Sequence, residues 1–327
     1  MLNIKIHTVL LVTCVFIGAA SGAYDYDPND FATEVVEYVQ GTGVPIDCLT
    51  GQPFNNPNTA LGRPTLITTG DGFYMPPGEN VPVVPVYGPF RSFELVTIGS
   101  GGRLTVKFNH PVANNKNNPY GIDFIIYGNT NQAIAGGQHW TNGNPEQTTV
   151  IGSVSAEPGI VAVSQDGNTW YYFSNGPYAD SFAPTASYEW DDVNNVWGDE
   201  LNPTRPVDPN LTAAGLNGKT VAQIIEMYNG SAGGTGFDIG TLGLDWIQYV
   251  RIENKPGSSG TAEIDAIADV SCCGDYKHPY PADDLNEDCR VDFSDFAILA
   301  QDWHVGTGWD DLAILADGWL QCSWKCQ

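Results

Sequence analysis

The stretch IVAVSQDGNTWYYF, Ile160 to Phe173, is the strongest constraint on the fold. Two β-prone runs flank Asp166-Gly167, a pairing that marks a β-hairpin. Similar runs of β-branched and aromatic residues recur from Ala23 to about Ser271. They include RLTVKF (Arg103 to Phe108), GIDFIIYG (Gly121 to Gly128), DWIQYVRIE (Asp245 to Glu253) and AEIDAIADV (Ala262 to Val270). Turn residues separate them, and only two segments read as helices. DFATEVVEYVQG predicts a helix capped by Asp30 and ended by Gly41. NGKTVAQIIEMYNG puts Val221, Ile224, Ile225 and Tyr228 on one helical face. Many strands and few helices predict a mainly β fold, a jelly-roll-like β-sandwich, rather than alternating βαβ units.

Charge narrows the function. The 327 residues hold 13 basic and 38 acidic side chains, for a net charge of −25. Such a polyanion repels nucleic acid and anionic membrane surfaces, and it suits cations or neutral ligands. The first residues read as a secretory signal, residues 1–22, with Lys5, an apolar run from Val9 to Ala19 and small residues up to Ala23. That run is short for a membrane span, and no later segment is a transmembrane candidate. The expected location is therefore extracellular, either secreted or at the cell surface. Loss of Cys14 with the signal leaves six of the seven cysteines. An even number in an exported chain predicts disulfides, with the pairing open.

Residues 23–271 form the expected β-domain. Residues 272–283, CCGDYKHPYPAD, read as a linker, and residues 284–327 as a small helical module. DFAILAQDW (Asp295 to Trp303) aligns without gaps to DLAILADGW (Asp311 to Trp319). Each copy carries an apolar stripe at i, i+3, i+4 and i+7: Phe296, Leu299, Ala300 and Trp303 in the first, Leu312, Leu315, Ala316 and Trp319 in the second. Two short helices packed face to face are expected.

Before the first copy lies DLNEDCRVDFSD, residues 284–295. Calcium takes hard oxygen ligands from a loop that wraps the ion, and this spacing supplies them. The predicted set is Asp284, Asn286, Asp288, the Arg290 carbonyl, Asp292 and Asp295. Val291 would tie the loop to the core. Cys289 occupies the place where such loops carry glycine, so the turn is strained, and a disulfide to Cys322 or Cys326 would hold it.

With these residues in view, the tail resembles a type I dockerin module, in which a DxNxDGxVxxxD loop joins one helix and the unit is repeated. Here the second helix is present, but only HVGTGW precedes it, so the second loop is missing. The resemblance implies Ca2+ as the cofactor and a cohesin-like protein as the partner. The segment from Phe31 to Val270 is similar to a bacterial secreted and cell-surface domain, on GSGGRLTVKF, GIDFIIYGN, VAVSQDGNTWYYF, DWIQYVRIEN and EIDAIADV. That likeness implies a β-sandwich outside the cell.

No HExxH or GxSxG motif occurs, and no catalytic residue is assigned. Acid pairs such as Asp191–Asp192 and Asp199–Glu200 read as surface; a divergent polysaccharide-degrading enzyme is the least favoured alternative. Asp123, Asp238 and Asp265 near strand ends read as turn carboxylates, with a second calcium site as the competing reading. Trp140, Trp170, Tyr171, Tyr172, Tyr178, Trp190 and Trp197 crowd the middle of the chain. They are read as core, or alternatively as a face that stacks on an extracellular polysaccharide. The leading expectation is a secreted, non-catalytic surface or matrix protein with a calcium-binding, dockerin-like docking module.

Overall fold

The computed structural model describes residues 27–72, 75–270, 280–286, 291–301, 303 and 308–319. The predicted signal, most of the linker, Asp288, Arg290 and every cysteine except Cys48 lie outside them.

In chain order the strands are β1 (Glu34–Val39), β2 (Ile67–Thr69), β3 (Asn80–Pro82), β4 (Val96–Ile98), β5 (Arg103–Ala113), β6 (Phe124–Gly128), β7 (Asn131–Ile134) and β8 (Val150–Ser155). They continue with β9 (Ile160–Ser164), β10 (Tyr171–Tyr172), β11 (Tyr188–Asp191), β12 (Val196–Glu200), β13 (Thr235–Phe237), β14 (Trp246–Glu253) and β15 (Ala262–Asp269). Helix α1 spans Val221–Met227, and the tail carries α2 (Phe293–Gln301) and α3 (Trp309–Asp317). The chain is mainly β.

Two antiparallel sheets carry the β-domain. One has the order β1-β5-β14-β9-β10 and the other β13-β6-β15-β4. The pairing is nested: β4 with β15, β5 with β14, β6 with β13, β9 with β10. Each sheet therefore joins early strands to late ones. One core cluster takes Val106 and Phe108 from β5, Val250 and Ile252 from β14, Ile126 from β6 and Ile264 from β15, so the sheets face each other across it. β5 alternates as a sheet with one wet face should, except at one place. Leu104, Val106, Phe108, His110 and Val112 are buried and Arg103, Lys107, Asn109 and Pro111 turn outward, while Thr105 on the outward face is also buried and accepts from Arg251.

The four-stranded sheet is buried on both faces, because a second cluster packs Ile125, Tyr127, Ala266 and Ala268 against α1 and its neighbouring loops. That is why β6 and β15 are buried at every residue. α1 forms where the apolar spacing places it. Thr220 and Gln223 make a reciprocal capping box at its start, and Val221, Ile224, Ile225 and Tyr228 are buried.

The segment predicted as a helix after Asp30 is instead a short 3-10 turn, Pro28–Asp30, followed by edge strand β1. The error has a physical source. A bulge between Val35 and Glu37 admits one extra residue, so Val35 and Tyr38, three apart, both pack on the inner core. Three-residue spacing of apolar side chains is also the mark of a helix. The predicted hairpin at Asp166-Gly167 does form, with Tyr171 opposite Val163; Asp166 accepts the amides of Asn168 and Thr169, both at 2.8 Å.

In the tail, α2 and α3 share a small core of Val291, Leu299 and Leu315, backed by Trp303, Leu312 and Trp319. Phe296, Ala300 and Ala316, expected on those stripes, are exposed. The inward face is narrower than the sequence pattern.

Candidate functional site

The described part of the tail loop converges on Asp295, which is fully buried at the start of α2. Its Oδ1 accepts the amides of Leu285 (2.8 Å) and Asn286 (3.2 Å), and its Oδ2 accepts that of Asp292 (2.8 Å). Asp292 caps α2, accepting the Ser294 amide at 2.7 Å. Asp284 is also buried. Four predicted ligands, Asp284, Asn286, Asp292 and Asp295, thus lie in one loop, and among the described residues no basic side chain pairs with Asp295. A carboxylate oxygen that accepts one amide keeps acceptor capacity, so this all-oxygen set suits a hard cation. Among the described residues no group of three or more acids, histidines or cysteines is already arranged around a common point.

Of the acids expected near strand ends, Asp123 and Asp238 are neighbours and Asp265 stands apart. Asp123 accepts the Ile239 amide (2.9 Å) and the Asn118 side chain (2.9 Å); Asp238 accepts the Gly240 amide (2.7 Å). Asp265 accepts the amide and hydroxyl of Thr65, both at 2.8 Å. Burial pushes Asp123 up to about 6 and Asp265 up to about 7, against the pull of these hydrogen bonds. Asp238 serves its own turn and Asp123 holds neighbouring loops, whereas Asp265 is not at a strand end: it lies buried inside β15 and ties the distant Thr65 loop to it. Asp191 likewise serves its own hairpin turn, and Glu200 pairs with Arg63.

Trp140, Trp170, Trp190 and Trp197 fall in three separate places, and Tyr171 and Tyr172, expected as core, are exposed. Trp170 lies under Arg251, 3.8 Å from guanidinium carbon to ring centre, beside the five-stranded sheet. Trp190 and Trp197 pack edge-on at 5.1 Å across the β11–β12 hairpin. Trp140 is buried in the second core cluster.

A feature the sequence reading missed is a cleft of about 840 Å³ at one end of the four-stranded sheet. The segment around Tyr87 and Phe90, the β7–β8 hairpin, and the ends of β6 and β15 line it. Phe90 is 39% exposed there. Gln132 and Trp140, each 2% exposed, also line the cleft, and the Gln132 amide nitrogen and oxygen and the Trp140 indole nitrogen have no hydrogen-bond partner. Arg91 Nη2, on a third residue of the same lining, is also without a partner; buried polar groups are nearly always paired, so four such atoms on one wall are unusual.

Acids gather behind the same cleft. Glu263 accepts from the Thr97 hydroxyl at 3.2 Å and from the Asn129 side chain. Asp180 accepts the amides of Asn129, Thr130 and Glu263 at 3.0–3.1 Å. Burial pushes both carboxyls well above the ordinary range. The charges of Asp180 and Glu157 add to this at Glu263, while the Glu263 amide and Thr130 hydroxyl partly offset it at Asp180. Arg91, 1% exposed, also lines the cleft and is held by Asp47 at 2.8 Å. A signal for this region existed: AEIDAIAD places acids inside a strand otherwise apolar enough to be buried on both faces.

No protein-family model matches the chain, and no match is found among curated proteins.

Proposed function

We propose that this chain is a secreted, non-catalytic surface or matrix protein: a jelly-roll β-sandwich followed by a dockerin-like module that binds calcium and docks the protein to a partner. The nested strand pairing supports the jelly-roll reading, since it is the pattern produced by folding one long hairpin of strands over itself. The observation that carries the docking reading is buried Asp295, whose carboxylate gathers the loop amides of Leu285, Asn286 and Asp292 at the start of α2. A negative group there is favoured by the helix dipole, and a hard cation such as calcium is a fitting counter-charge for a buried carboxylate. A cohesin-like protein is the proposed partner for the α2–α3 surface, on which Phe293 and Trp309 are 77% and 72% exposed.

Calcium titration calorimetry on the full chain tests this reading. Binding heat is expected, with EDTA lowering the unfolding temperature of the tail, and Asp295→Ala abolishing both effects. Absence of calcium heat together with an EDTA-insensitive melt would overturn it.

A further inference from the structure

We infer that the cleft between the Tyr87–Phe90 segment and the β7–β8 hairpin is a binding site for a neutral saccharide, recognised through the side chains of Gln132, Trp140 and Phe90. The Gln132 amide offers a donor and an acceptor a fixed distance apart, and the Trp140 indole offers a donor. Leaving such groups unpaired in a folded interior is costly, and a ligand able to give and accept hydrogen bonds removes that cost. Neighbouring hydroxyls on a sugar ring do both at once.

Part of the cleft wall is apolar. Exposed Phe90 and half-buried Tyr87 present ring surface, and Ile134 and Ile151 line the same space. A sugar ring has C–H faces that cover aromatic surface and an equator of hydroxyls for polar groups. The volume, about 840 Å³, lies in the range of small-ligand pockets. Charge then selects among saccharides. Asp71 and Glu157 line the cleft, the Arg91 charge there is paired with Asp47, and the chain carries −25 overall. Uronates and sulfated sugars are repelled, so neutral sugars are the class that fits. The polar atoms of Gln132 and Trp140 are both shut from solvent, so each reaches the ligand by a side-chain rotation, a change that commonly accompanies binding.

This site is independent of the tail, and its test is separate. The full chain with calcium is titrated against neutral oligosaccharides of glucose, mannose, galactose and xylose, with oligouronates as the charged comparison. At least one neutral series is expected to bind. Gln132→Met keeps the side-chain shape and removes the orphan amide, so affinity should fall by roughly tenfold or more while the melting temperature holds or rises. A purely structural glutamine would give the opposite pattern, a lower melting temperature with unchanged binding. Phe90→Ala, at an exposed position, should weaken binding as well, and Trp170→Ala, away from the cleft, should not. The inference is overturned if no neutral sugar binds at about 10 mM, if the uronates bind better, or if Gln132→Met and Phe90→Ala both bind as the parent does.

Discussion

Arg91 illustrates how a single residue is fixed by its surroundings. Its Nη1 donates to Asp47 at 2.8 Å and its Nε to the Thr69 carbonyl at 3.2 Å, with both partners of the ion pair buried. Burial alone would raise Asp47. The amides of Ser92 and Leu49 and the Arg91 charge outweigh it and hold the carboxyl below its usual range. A depressed folded-state pKa stabilises above the unfolded value and is lost as pH falls, so this pair weakens on acidification. Removing one partner strands a charge in the interior. Asp47→Ala is expected to cost about 3–5 kcal/mol in urea unfolding; a loss of under about 1 kcal/mol would contradict that placement. Gly234 is constrained just as closely. It has φ +79°, and an added Cβ would lie 2.4 Å from the Ile125 side chain, so Gly234→Ala should lower the melting temperature sharply.

Elements show where sequence reasoning worked and where it failed. The strands rich in Val, Ile and Phe and the capped helix α1 were legible because burial and periodicity agree there. β1 was not, since its bulge gives a strand the apolar spacing of a helix turn. That assignment carries a prediction: the Tyr38 hydroxyl donates to the Thr97 carbonyl at 2.8 Å, so Tyr38→Phe should cost about 1 kcal/mol. Val36, 47% exposed at the bulge, should tolerate Ala within about 0.5 kcal/mol. Comparable losses at both positions in chemical denaturation would count against the bulge. In the tail, Leu299→Ala should cost more than Phe296→Ala, because only Leu299 enters the shared core. The calcium loop was visible as spacing because its ligands are local. The cleft was invisible for the opposite reason: Phe90, the segment from Gln132 to Trp140, and Glu263 are distant in sequence and meet only through the fold.

At the scale of the molecule, the buried acids set how stability varies with pH. Glu94, Asp123, Asp180, Glu263 and Asp265 all have carboxyls raised by burial. Between the unfolded value near 4 and folded values that reach about 7 at Asp265 and about 8 at Glu263, the folded state binds more protons. Stability from these groups is therefore full below that window and declines as pH rises through it. With calcium removed by EDTA, the β-domain should melt at a higher temperature near pH 5.5 than near pH 8, and Asp265→Asn should flatten the slope. A melting temperature that rises across this range would refute the protonated-acid account. The nested strand order has a consequence for how the chain reaches its native state. The Thr97–Glu263 contact spans 166 residues, and β15 is a central strand of its sheet. During synthesis the early strands wait for partners made last, and folding is slow because distant segments must find each other first. A chain stopped before Ala262 would remain a collection of unsatisfied edges, so this domain is completed by its final strand.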